Sequence, residues 1–491
     1  MKRPARAAMS AFCLTGILAS CARVPDTESK HTNTVASERG RHAAWERYTK
    51  NEEVLKAFEG LDAPTRGAIR DRYGLKADDA EAQFLVRHLA VEEAISDAPL
   101  VAGNEVTLLN DGPRTYHAML RDIAQARHFV HMESYIFEDD EAGQAFADAF
   151  IAKRREGVPV ALMVDGIGSR GADGDLFDRL RDAGVQVAVF NPVNPVKARA
   201  GWNLNNRNHR KLLVVDGQVG FVGGINISSV YSSSPSGSGS SASSSGGGAK
   251  DVGKADGQAE DAPWRDTHLR IAGPAVAQME RIMQEGWTSQ RAEPLPAADY
   301  FPKVERQGNT VVRMVANHPG DAEGYTLYLT LMSAVRSAQR SIYITMAYFV
   351  PDPAFIRALT DAARRGVDVK LVLPGFSDSS LVFHAGRSHY AALLHAGVQI
   401  AERRDAFLHA KTILVDGVWS SVGSSNLDWR SFALNHELNA VILGSDFGAL
   451  MQKQFDEDLA AASPIDPGSW SQRGIQNRVM ESFSRLFERW L

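Results

Sequence analysis

Two short runs of the chain carry the same three polar residues at the same spacing. In NHRKLLVVDG they are His209, Lys211 and Asp216; in LHAKTILVDG they are His409, Lys411 and Asp416. Both runs extend in one frame: Gly223 and Asn226 follow His209 at offsets of fourteen and seventeen, and Gly423 and Asn426 follow His409 likewise. Alternate residues of a strand share a face, so each His and Lys point one way and each Asp the other. The expectation is that Asp216 and Asp416 hold their hairpin turns from behind and never touch a substrate. The returning strand then brings Asn226 or Asn426 back beside the pair. A lone motif of this kind suits a satisfied histidine on a structural strand as well as it suits a site, but a matched pair does not.

Two lysines and two histidines meeting in one cleft make an anion site. Protonated Lys has no acceptor and is a poor metal ligand, and no carboxylate cluster accompanies it. No metal and no cofactor is therefore expected. A phosphate or phosphodiester is the natural guest, with Lys and Asn neutralising its oxygens as charge builds in the transition state. One His can attack phosphorus while the other protonates the leaving alcohol.

The elements that must position these residues repeat along the chain. ARHFVHMESYIFEDD resembles AQRSIYITMAYFVPDP, and FADAFIAKRREGVPVALMVDG resembles RALTDAARRGVDVKLVLPG. Each unit reads strand, helix, strand, helix, strand, hairpin. That alternation predicts an α/β fold with largely buried mixed sheets flanked by helices. Two copies, at 104–295 and 308–465, predict a pseudo-two-fold pair with the site between them and a monomer as the whole. A Ser/Gly-rich insertion at about 229–262 interrupts the first copy and is expected to be a flexible loop outside the cleft.

The 491 residues are 44% hydrophobic with a net charge of −5, a balance that argues against a protein built to coat nucleic acid. Residues 1–20 have a basic start and a short apolar run ending in Leu18-Ala19-Ser20-Cys21, a lipobox-like sequence. A signal cleaved before a lipidated Cys21 is expected, placing the protein in a bacterial envelope, facing the periplasm, with the outer membrane one option. Cys13, the other cysteine, lies inside that signal, so no disulfide is expected in the mature chain. Residues 21–103 read as a stalk with amphipathic helices. Residues 466–491 read as an amphipathic helix that either packs on the body or lies in a membrane interface, with Ile475, Val479, Phe483, Leu486, Phe487 and Trp490 near one face.

The paired motifs resemble the HKD signature of the phospholipase D superfamily, and within it the chain looks most like bacterial cardiolipin synthases. The similarity spans about Asn104 to Ile465 and is most specific in HAKTILVDG…VGSSNLDWRSFALNHELN. The resemblance implies that His209 forms a covalent phosphohistidine and that His409 acts as general acid and then base. It also implies an acidic residue against each His, at Asp266 in WRDTH and Glu437 in NHELN. The implied activity is phosphatidyl transfer to make cardiolipin from phosphatidylglycerol and a second phospholipid, phosphatidylglycerol or phosphatidylethanolamine. Hydrolysis to phosphatidic acid, a phosphodiesterase acting on nucleic acid, and a non-catalytic lipid- or nucleic acid-binding descendant are the alternatives. Synthases of this type usually carry two N-terminal membrane helices, whereas this chain has the lipobox-like start.

Other polar groups are weaker candidates. His128, His131 and Glu133 hint at a metal, but the matching SIYITMA has no ligands, so structural or substrate-lining roles are expected. His384 and His389 are expected near the cleft mouth or on the surface. Arg430 suits a phosphate contact or a structural ion pair equally.

Overall fold

The computed structural model describes residues 98–172, 174–193, 203–234, 262–319, 325–488 and 491. The expected signal, Cys21, nearly all of the stalk, most of the Ser/Gly insertion and Trp490 lie outside them.

The first half runs β1 (Val101–Leu109), α1 (Gly112–Gln125), β2 (Val130–Ser134), α2 (Glu141–Arg155), β3 (Val160–Asp165), α3 (Gly174–Asp182), β4 (Gln186–Phe190), β5 (Arg207–Asn208), β6 (Leu212–Val215), β7 (Val219–Gly223), β8 (Trp264–Arg265), β9 (His268–Ala272) and α4 (Val276–Ser289). The second runs β10 (Thr310–Asn317), α5 (Thr326–Ser337), β11 (Ser341–Met346), β12 (Phe349–Val350), α6 (Pro353–Arg364), β13 (Asp368–Pro374), α7 (Ser380–Arg387), α8 (Tyr390–His395), β14 (Gln399–Arg403), β15 (Phe407–Leu408), β16 (Lys411–Val415), β17 (Trp419–Gly423), β18 (Leu427–Asp428), α9 (Trp429–Ala433), β19 (Asn435–Leu443) and α10 (Ser445–Ala460). β20 (Ala462–Pro464), α11 (Pro467–Ser471) and α12 (Ile475–Arg485) close the chain.

The helices start where the sequence supplies caps. Asp111, Asp140 and Asp352 accept from the amides of Arg114, Gly143 and Phe355, which satisfies otherwise orphaned donors of the first turns. The parallel strand β3, VALMVD, is apolar at five of its six positions and buried at all six, as a strand covered on both faces should be.

The strands line up as β20-β14-β13-β11-β16-β17-β19-β10-β1-β9-β7-β6-β2-β3-β4. Reading outward from the central β10–β1 contact gives the same order of equivalent strands in both directions, with β20 as an extra edge. β2, β3 and β4 are mutually parallel, as are β11, β13 and β14, while the HKD hairpins β6–β7 and β16–β17 are antiparallel. The expected pseudo-two-fold pair of α/β units is thus observed. One core cluster belongs to each half's outer helices, and a third is shared, with Leu212, Val222 and Ile271 meeting Leu414, Val422 and Ile442.

Two details depart from the sequence reading. β1 begins at Val101, slightly ahead of the expected start at Asn104. The insertion was expected to open near 229, yet Ser229–Tyr231 form a 3₁₀ turn with Tyr231 buried. Composition hid this, because the turn is written in the same serines as the insertion that follows.

Candidate active site

Each HKD motif enters its hairpin through a short strand paired with the opposite half. β5, just ahead of His209, runs parallel to the start of β19, and the His209 amide donates to the His436 carbonyl at 2.9 Å. β15, just ahead of His409, runs parallel to β8, and the His409 amide donates to the Arg265 carbonyl at 2.8 Å. The residue directly after each acceptor is the acidic one, Glu437 after His436 and Asp266 after Arg265. His209 Nδ1 therefore lies 3.0 Å from Glu437 Oε1, and His409 Nδ1 lies 2.6 Å from Asp266 Oδ2. The histidine–carboxylate pairs are crossed: each half orients the histidine of the other.

Gly223 and Gly423 make room for these crossings. A Cβ on Gly223 would come within 2.5 Å of the His268 Cα and the Thr267 carbonyl; one on Gly423 would meet the Leu438 carbonyl at 2.4 Å. Both glycines let the carboxylate-bearing strand press against the hairpin. Ser424 Oγ then donates to Glu437 Oε2, and Asn435 Nδ2 donates to Oε1 at 3.2 Å. The Thr267 amide donates to Asp266 Oδ1 at 2.7 Å.

The lysines share the histidine face. Lys211 Nζ donates to the His209 carbonyl at 2.6 Å, and Lys411 Nζ donates to the His409 carbonyl. An ammonium has three donors, so each retains capacity for an anion. Burial is the main reason that both lysines titrate low, Lys211 at about 7 and Lys411 at about 8. Each depresses the other half's histidine too: Lys411 acts on His209 and Lys211 on His409. The four groups thus form one electrostatic unit.

Burial lowers His209 to about 4 and His409 to about 3, so both are neutral near pH 7. Burial alone would raise Asp266 and Glu437, but the facing histidine and lysines outweigh it and hold both carboxylates ionised. An ionised carboxylate at Nδ1 draws the ring proton there and leaves the Nε2 lone pair for the cleft.

Asp216 and Asp416 sit on the far side of their strands, as alternation requires. Their task is broader than holding a turn. The Asp216 carboxylate accepts from the amides of Arg127, His128 and Phe129 ahead of β2; that of Asp416 accepts from those of Gln339, Arg340 and Ser341 at the start of β11. Both adopt positive φ, 55° and 52°, before Gly217 and Gly417. Each therefore ties its hairpin to the loop that starts the neighbouring strand.

Asn226 reaches the site by an unexpected route. Its Nδ2 donates to Tyr231 Oη at 3.0 Å, and that hydroxyl lies 3.2 Å from His409 Nδ1. It thus stands beside the second half's histidine through a tyrosine. The Asn426 carboxamide is buried, and its oxygen has no protein partner among the described residues. Three aromatics escaped the sequence reading. Tyr135 lies edge-on to His209 at 4.9 Å and under Lys211 at 5.1 Å, Trp264 lies 5.3 Å from His409, and Tyr231 borders both Trp264 and His409. Tyr135 and Trp264 sit in the quoted runs ARHFVHMESYIFEDD and WRDTH, so membership of those runs was the available signal.

The weaker candidates resolve into structural contacts. His131 pairs with Glu280 at 2.9 Å, and Glu133 accepts from Asn208 at 3.1 Å, so they do not form a shared metal set. His128 is exposed, and its backbone amide serves Asp216. His389 Nε2 lies 2.6 Å from Glu488 beyond α12, and His384 is half-buried in α7 beside Phe383. Arg430 donates to the Asn205 carbonyl at 3.1 Å, bridging the halves.

Comparison with known proteins gives the family. Residues 119–233 and 331–459 match the family described as "Cardiolipin synthase, PLD-like domain". The chain is 36% identical over 401 residues to a cardiolipin synthase of Geobacillus sp. strain WCH70, covering 81% of this chain and 74% of that one. It is 32% identical over 408 residues to cardiolipin synthase 1 of Bacillus cereus, covering 81% and 74%. A phosphatidylserine synthase from Haemophilus influenzae has the same fold, with a TM-score of 0.60 at 13% identity over 82% of this chain and 97% of that one. Fold and site define a phospholipase D-like enzyme of two fused units. The chain belongs to the cardiolipin synthase family within that class, the phospholipase D-type phosphatidyltransferases.

Proposed function

We propose that the protein makes cardiolipin by a two-step phosphatidyl transfer. A phospholipid enters with its phosphodiester between Lys211 and Lys411. Its negative charge offsets the lysines and lifts His409 into its protonated form. His209 Nε2 attacks phosphorus, the phosphorus–oxygen bond to the headgroup alcohol breaks, and His409 gives that alcohol its proton. The glycerol headgroup of phosphatidylglycerol then enters, loses a proton to His409 and takes the phosphatidyl group from His209. Asp266 and Glu437 position the two rings, and Asn226 and Asn426 complete the polar wall.

The crossed pairing carries this reading. It holds both imidazoles by Nδ1 and turns both Nε2 atoms to one lysine-lined cleft, as divided nucleophile and acid roles require. Transfer is favoured over hydrolysis by the setting: both histidines are under 10% exposed, and Tyr135, Tyr231 and Trp264 crowd them, which limits stray water. A Cys21 lipid anchor would keep the protein at an envelope membrane where both substrates reside; among the described residues no helix is long and apolar enough to span one.

The test is incubation of purified protein with phosphatidylglycerol vesicles, with and without phosphatidylethanolamine, read by lipid mass spectrometry. Cardiolipin with release of the headgroup alcohol is expected. Phosphatidic acid alone would replace transfer with hydrolysis, and cleavage of DNA with lipids untouched would replace both with a nuclease.

A further inference from the structure

The C-terminal helix α12 is amphipathic, yet it docks by its polar side. Glu481 and Ser484 are buried, and Glu481 forms a bidentate ion pair with Arg473 whose shortest contact is 2.6 Å. Just beyond the helix, Glu488 reaches His389 at 2.6 Å. These contacts turn the apolar side outward. Ile475 is 77% exposed, Val479 60%, Phe483 52% and Leu486 75%, and at 3.6 residues per turn they form one stripe. Gln476 lies at its edge, beside Phe483. Arg478 and Arg485 are exposed along one border.

A short chain of contacts ties the helix that carries the stripe to the second half's site. α12 packs along α7, which packs on β12; β12 pairs with β18, directly after Asn426. Asp378, just before α7, is among the carboxylates whose charge Lys411 feels. A second copy of the chain is a poor occupant. The 11-residue helix is roughly 16 Å long and offers far less than the about 800 Å² per partner of a standard interface. An apolar stripe with arginines on its border fits the boundary between headgroups and acyl chains of an anionic bilayer.

We propose that α12 is a membrane-docking element that seats its Ile475–Val479–Phe483–Leu486 stripe in an anionic phospholipid surface and brings the second-half wall of the cleft against it. The inference extends the lipid-transfer reading, because a cleft that takes its substrates from a bilayer must meet one. An environment-sensitive fluorophore on Val479→Cys, with the parent chain labelled in parallel as background, reports docking directly. On phosphatidylglycerol vesicles its emission should shift to the blue and be quenched by nitroxide-bearing lipids, while a fluorophore on Arg281→Cys, exposed on α4, should not respond. An unmoved signal at 479 on vesicles would overturn docking. So would a lipid-independent shift that grows with protein concentration as dimers appear, which would mark a second copy as the occupant.

A kinetic arm separates docking from chemistry. The double variant Phe483→Asp/Leu486→Asp should lose about tenfold in turnover on vesicles and keep turnover on monomeric short-chain lipids. Equal turnover on both, or equal loss on both, would contradict the docking role. If the parent turns over neither form, the lipid-transfer reading fails, and the fluorescence arm still judges docking by itself.

Discussion

At the scale of residues, the site works through charge held in a dry place. His209 and His409 are neutral because burial, with the lysine of the same motif and then the opposite one, outweighs the carboxylate beside each ring. Both rings take up a proton below the ordinary 6.5 in the folded chain, so between pH 6.5 and about 4 the unfolded chain binds protons that the folded chain refuses. Stability must therefore rise with pH across that window and fall on acidification. The double variant His209→Gln/His409→Gln removes both groups. Urea unfolding should show the parent losing more stability than the variant between pH 6.5 and 4.5, by on the order of 1–2 kcal/mol per histidine. Equal losses would contradict neutral histidines in the resting site. The residues themselves were readable because the motif occurs twice. Tyr231 was not, since it stands in a serine run whose composition signals a loop and only the folded chain lays it against His409.

At the scale of elements, alternation along β6 and β16 correctly separates the Asp from the His and Lys. It cannot say what the Asp meets, because the loops ahead of β2 and β11 arrive from residues about ninety and eighty positions away. Asp416→Ala should orphan the amides of Gln339, Arg340 and Ser341 and loosen the junction of hairpin and strand. A cost of about 1–3 kcal/mol is expected, seen as a lower unfolding midpoint, with substrate affinity of the folded fraction nearly unchanged. A large rise in KM without loss of stability would instead place Asp416 at the substrate. The repeat pattern also anticipated the strand–helix alternation of both halves. It missed the short strands β5, β8 and β15, which have two residues each and leave no periodicity to read. Those strands set the crossed pairing.

At the scale of the whole molecule, the crossing makes the two halves one catalyst. Repeats and spacing predict that two half-sites meet, but which carboxylate faces which histidine is decided only when β5 lies on β19 and β15 on β8. Under the proposed division of roles, Asp266, in the first half, serves the proton-transfer histidine of the second, and Glu437 serves the nucleophile of the first. The most direct measurement is trapping of the covalent intermediate from a lipid carrying a nitrophenol leaving group, which departs without a proton. His409→Ala and Asp266→Asn should both accumulate phosphoenzyme on His209, visible by mass spectrometry of the peptide that contains it. His209→Ala should yield none, and Glu437→Gln should form it slowly. Phosphoenzyme on His409 in the His209→Ala variant, or none in any variant while the parent turns over, would contradict the division of labour across the crossed site.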